Sequence, residues 1–168
     1  IVTASTGKKG IGSELFAVRA KGQPAANPAI AYAPGDLWVM NFEGSNKAMI
    51  STEGIPVTHI SWAGIGAGTA ADPWRLVFQA GLGCLPDGIF TLDVALIGGQ
   101  PQGLNRTQVP ATTNACDPAW SPTSDTIAFG DGSQPFGTSS HLFIKSLSGG
   151  AQVLVYTSPV ASDEGYTI

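Results

Sequence analysis

Charge is scarce in this chain. Only 12% of its 168 residues are charged, and the eight Lys and Arg form no patch. The formal net charge is −4, so a polyanionic backbone is repelled on average and no nucleic-acid partner is expected. Long hydrophobic runs are missing too, which excludes a helical membrane span, and the absence of heptads excludes a coiled coil. With 22 Gly and 12 Pro the chain is punctuated too often for long helices. Histidine and cysteine number two each, His59 and His141, Cys84 and Cys116. There is no Cys-x-x-Cys, no zinc-ligand set, no calcium loop and no Gly-x-Ser-x-Gly elbow. No catalytic, cofactor-binding or metal-binding residue is therefore assigned.

What is present is apolar. A hydrophobic fraction of 43% is too high for disorder and sufficient for one domain spanning residues 1–168 with its own core. From Cys116 to Tyr156 come four short apolar runs, each closed by a turn signal such as Pro122, Gly130-Asp131-Gly132 or Gly149-Gly150. That pattern is a four-stranded antiparallel meander.

The meander recurs. Leu37-Trp38-Val39-Met40-Asn41, Ile89-Phe90-Thr91-Leu92-Asp93 and Leu142-Phe143-Ile144-Lys145-Ser146 lie roughly fifty residues apart, and each leads to a glycine turn. The preceding runs, Ile30-Ala31-Tyr32, Leu76-Val77-Phe78 and Ile127-Ala128-Phe129, align as well, and Ile60-Ser61-Trp62 matches Pro118-Ala119-Trp120-Ser121. Three repeats of four strands follow, over 14–51, 58–108 and 118–157. The strands are expected at 14–19, 29–33, 36–42 and 47–51; at 58–63, 75–80, 88–95 and 102–108; and at 118–121, 126–130, 141–147 and 151–157.

Within the strands, apolar residues do not alternate cleanly with polar ones. Leu37, Trp38, Val39, Met40 and Phe42 place apolar groups on both faces, as a sheet covered on both sides requires. Sheets stacked on sheets in a regular repeat indicate propeller blades; a two-sheet sandwich suits the strand number without requiring the repeat.

At Asp117-Pro118-Ala119-Trp120-Ser121-Pro122, followed by Thr126-Ile127-Ala128-Phe129, the chain resembles the TolB-like, WD-repeat-like propeller family. Blades of that family read Pro-x-Trp-Ser-Pro-Asp-Gly, then Ile-Ala-Phe, then an Ile-Tyr-Val strand ending in Asp-Gly. Leu37–Asn46 fits the last element, whereas the third repeat carries Ser-Pro-Thr-Ser-Asp in place of Ser-Pro-Asp-Gly. The resemblance covers Ala29 to Tyr156. It implies an all-β, propeller-type stack of about three four-stranded antiparallel blades. Three blades fall short of a closed ring, so the stack is expected to be part of a larger propeller, half of a six-bladed dimer, or a unit of a fibre. Ile1–Thr3 and Tyr166–Ile168 look like strand fragments that a neighbour could pair.

Alternating strand direction brings Cys84, between the second and third strands of repeat two, and Cys116, in the connection to repeat three, to one rim. A Cys84–Cys116 disulfide is expected. Together with scarce lysine it points to an extracytoplasmic location: periplasmic, secreted or cell surface. The chain starts at Ile1 without an initiator Met or a signal-peptide pattern, so it is expected to be processed or cut from something longer. Asn105-Arg106-Thr107 is a glycosylation sequon. Trp74, beside Asp72-Pro73, is the tryptophan expected at an exposed partner contact; Trp38, Trp62 and Trp120 are expected in the core. His59 is expected as a packed or hydrogen-bonded residue at a strand start, and Gly64, Gly66 and Gly68 as a flexible loop. His141 follows Ser139 and Ser140, but neighbours on a strand point to opposite faces, which argues against a nucleophile and its base. The function expected is a non-catalytic binding or self-assembling module whose partner is another protein or a second copy. The alternative is a propeller fragment of a larger secreted hydrolase or lyase that gates or binds substrate.

Overall fold

In a computed structural model, residues 15–18, 28–33, 36–41, 47–63, 66–81, 88–131 and 141–157 are described. They form twelve strands and, among the described residues, no helix. Strands β1 (Leu15–Val18), β2 (Pro28–Ala33), β3 (Leu37–Asn41) and β4 (Ala48–Ile50) make the first sheet. The middle sheet is β5 (Val57–Trp62), β6 (Trp74–Ala80), β7 (Ile89–Ile97) and β8 (Gln100–Gln108). The third is β9 (Ala115–Trp120), β10 (Thr126–Asp131), β11 (His141–Ser146) and β12 (Val153–Thr157). Each sheet is an antiparallel meander in chain order, so the expected all-β class and its four-stranded antiparallel sheets hold.

The sheets lie face to face with the middle one between the others. First strands gather along one side, where β5 touches both β1 and β9, while β4 meets β8 on the other. Strand β6 shows why the sequence does not alternate. Trp74, Leu76, Phe78 and Ala80 point toward the first sheet and pack with Leu37, Val39 and Ile50. Val77, between them, points the opposite way and packs with Ala115, Trp120, Ile127 and Phe129 of the third sheet. Leu76, Val77 and Phe78 are all fully buried, and each such side chain contributes about 1.5–3 kcal/mol by leaving water. On the side where β4 meets β8, Gly103 admits the Ile50 side chain against Leu92. Arg106 of β8 adds a clamp, donating to the Thr52 carbonyl and pairing with Glu53.

Trp74 corrects an expectation. It opens β6 and is only 3% exposed, so it is core and not a partner contact. Its cover is the preceding loop. The Ala67, Gly68 and Thr69 amides donate to the Asp72 carbonyl, and the Gly68 carbonyl accepts from Leu96 on β7. That fastens Gly68 directly over the indole, leaving no room for a Cβ. The Gly66–Gly68 segment is thus a compact lid, and Gly64 lies outside the described residues. Trp120 is buried as expected, while Trp38 and Trp62 are half-buried.

Candidate functional site

The first strands β5 and β9 each carry one extra residue relative to their neighbour, and both bulges use a non-glycine residue with positive φ. In β5 the pairing slips between Thr58 and Ile60, at His59 (φ 38). In β9 it slips between Cys116 and Ala119, around Asp117 (φ 52). Each residue stands three positions before its repeat's tryptophan, Trp62 or Trp120. A side chain in this left-handed region costs of order 1–3 kcal/mol unless its surroundings hold it there, and such residues cluster at functional positions.

Here the surroundings are each other. His59 Nε2 lies 2.9 Å from Asp117 Oδ1, joining the middle sheet to the third. The Asp117 amide, freed from the ladder by the bulge, donates to Gln79 Oε1 at 3.0 Å, which satisfies a Gln that is 1% exposed. One residue pair along, the Trp120 amide donates to Ser61 Oγ at 2.9 Å. His59, Gln79 and Ser61 thus tie three points of β9 to the middle sheet. The His59 and Asp117 side chains remain 45% and 33% exposed, so the pair is open to a ligand or partner from solvent.

The hydrogen bond that His59 donates to the Asp117 carboxylate raises the His59 pKa above the ordinary 6.5; burial opposes this, and the Asp117 charge adds to it. A raised folded-state pKa means the stabilisation is complete below about 6.5 and is lost as pH climbs through the higher folded value. Urea midpoints at pH 6 and pH 8 are expected to show the native chain losing stability over that interval relative to Asp117→Asn. Because both groups are substantially exposed, the difference should stay below about 1 kcal/mol. An identical pH profile for the two proteins would contradict the pairing.

Sequence reasoning read His59 as a hydrogen-bonded strand residue but missed Asp117 as its partner. The available signal was their common offset from Trp62 and Trp120. Cys116 is part of β9 itself, not of the connection before it, and is 6% exposed. Its expected partner Cys84 falls outside the described residues, as do Ser139, Ser140, Ile1–Thr3 and Tyr166–Ile168. His141 Nδ1 sits 3.5 Å from Asp131 Oδ2. Asn105 is exposed on β8 with φ 48, and its Nδ2 donates to Asp93. Beside it, Arg75, Asp93, Trp120, Asp125 and Leu147 line an open groove between the middle and third sheets. Among the described residues no group of three or more His, Cys, Asp or Glu is placed to hold a metal, and no helix is long and apolar enough to cross a membrane.

The two ends of the stack differ from its middle. On the first sheet, Leu37, Val39 and Ile50 face inward, leaving Trp38, Met40 and Met49 on the outer face, with Met49 56% exposed. On the third, Phe129 and Phe143 stack on the inner side, and register puts Leu142, Ile144, Val153 and Tyr156 on the outer one. Val153 and Tyr156 are 56% and 51% exposed.

No family model, curated protein or solved structure matches this chain.

Proposed function

We propose that the three sheets are blades of a TolB-like or WD-repeat-like β-propeller that is open in the single chain, and that the chain is a non-catalytic binding or self-assembling module acting through protein–protein association. One observation carries this reading. The centre of the middle sheet, at β6, is buried on both faces, whereas each end sheet keeps an outer face bearing apolar side chains, Met49 on one and Ile144, Val153 and Tyr156 on the other. Faces of this kind mark sites of association. The partner proposed is another protein or a second copy that continues the stack. Native mass spectrometry is expected to find the chain in assemblies, with Met49→Lys and Ile144→Glu shifting them toward monomer. A stable isolated monomer at all concentrations would contradict the reading.

The Cys84–Cys116 disulfide belongs to the same proposal. In its favour, no free cysteine is found among the described residues. Described residues on β6 and β7 also lie near β9 and the connection before it: Ile89 donates its amide to Thr112, and Gln79 accepts from the Asp117 amide. An extracytoplasmic location and glycosylation of Asn105 in a glycosylating host are proposed with it.

A second reading draws support from His59–Asp117. An exposed imidazole–carboxylate pair on neighbouring first strands suits a propeller that binds or gates substrate within a larger secreted hydrolase or lyase.

A further inference from the structure

Among the described residues the last strand of each sheet is an edge, and the three edges are protected very differently. Strand β4 is three residues long, too short to template another chain. Strand β8 is nine residues long but carries Pro101, Gly103 and the charged Arg106, with a bulge between its pairings to Thr91 and Asp93. Strand β12 reads Val153-Leu154-Val155-Tyr156-Thr157. It has no charge, no proline and no glycine, and all five residues are exposed; its one edge device is a bulge at Val155. The turn before it, through Gly149 and Gly150, has open space around both glycines. An edge with free ladder groups, high β-propensity and no gatekeeping charge is a site for strand addition.

We infer that β12 pairs antiparallel with β12 of a second copy about a two-fold axis, merging two third sheets into one eight-stranded sheet. The strand is suited to itself. Self-pairing sets apolar and β-branched side chains across from one another and brings no like charges together. Val153 and Tyr156 of both copies then extend one apolar surface with Ile144 on the outer face. A two-fold contact uses up both edges, so it closes at a dimer and does not propagate. Five residue positions make a small interface by the standard of about 800 Å² per partner, so the dimer should be concentration-dependent, not obligate. This edge contact deepens the association reading by naming a surface and partner, and it is distinct from stacking through the end faces.

The test is sedimentation velocity of the full chain across a wide concentration range, with hydrogen exchange of the β12 amides at both ends of it. The native chain is expected to pass from monomer to dimer with rising concentration, with β12 exchange slowing in step. Leu154→Lys puts one charge in each copy of the pairing strand and should weaken the dimer at least tenfold, while far-UV circular dichroism stays native. Assembly that survives Leu154→Lys but is lost with Met49→Lys or Ile144→Glu would overturn the edge pairing and leave end-face association standing. Assembly lost with Leu154→Lys and indifferent to both face substitutions would do the reverse. A chain monomeric throughout would overturn both.

Discussion

Phe78→Ala is expected to cost about 3–5 kcal/mol of folding stability. Phe78 is completely buried at the centre of β6, the second strand of the middle sheet. Its ring stacks on Phe90 of β7, with centroids 5.7 Å apart and planes inclined by 15°. It also belongs to the cluster that joins β6 to Leu37, Val39 and Ile50, so truncation empties space that two sheets share. Strand β6 is held between β5 and β7, by an unbroken ladder on the β7 side, so the site cannot collapse to fill the space. At about 2–4 °C per kcal/mol for a chain of this size, the melting midpoint should fall by on the order of 10 °C. Urea denaturation followed by tryptophan fluorescence measures the loss. A control substitution at an exposed position, Val155→Ala, should stay within about 0.5 kcal/mol.

The second large effect is expected from a single methyl group. Gly68 has φ +77, and a Cβ there would fall inside the Trp74 indole. Gly68→Ala therefore combines left-handed backbone strain of about 1–2 kcal/mol with overpacking of about 1–3 kcal/mol. Relief requires either lifting the lid, which breaks the Leu96 amide bond to the Gly68 carbonyl, or displacing Trp74 from the core. In either event Trp74 meets water, so the substitution should also red-shift the tryptophan emission of the folded protein. Gly149→Ala serves as the comparison. Its φ is also positive, at +132, but nothing stands near its missing Cβ, so only the backbone strain remains.

Strand placement was legible because the relevant signals are local. Apolar runs bounded by glycine and proline located β10 and β11 to within one residue, and the repeat located weaker strands such as β4. The start of β9 was not legible. Pro118 read as a strand opener, yet the bulge at Asp117 lets the ladder begin at Ala115 and pass through the proline. Trp74 was misplaced for a related reason. Asp72-Pro73 does end a loop, but what decides burial is where that loop folds back, and this depends on Asp72 gathering three amides and on Leu96, a distant residue of β7. His59 and Asp117 meet only because β5 and β9 lie side by side in adjacent sheets. Neither residue has a neighbour in sequence that marks it, and only the shared offset from a tryptophan connects them.

The functional proposal depends on the middle sheet being enclosed from both sides while the end sheets are not. Leu76 and Val77 are consecutive on β6 and serve opposite layers, Leu76 the first sheet and Val77 the third. The most direct measurement is the urea stability of Leu76→Ala beside that of Val77→Ala. Enclosure on both sides predicts losses for both, about 2–5 kcal/mol at Leu76 and about 1.5–3 kcal/mol at Val77. If one of the two stays within about 0.5 kcal/mol of the native chain, that face of the middle sheet is wet and the stacked architecture is wrong.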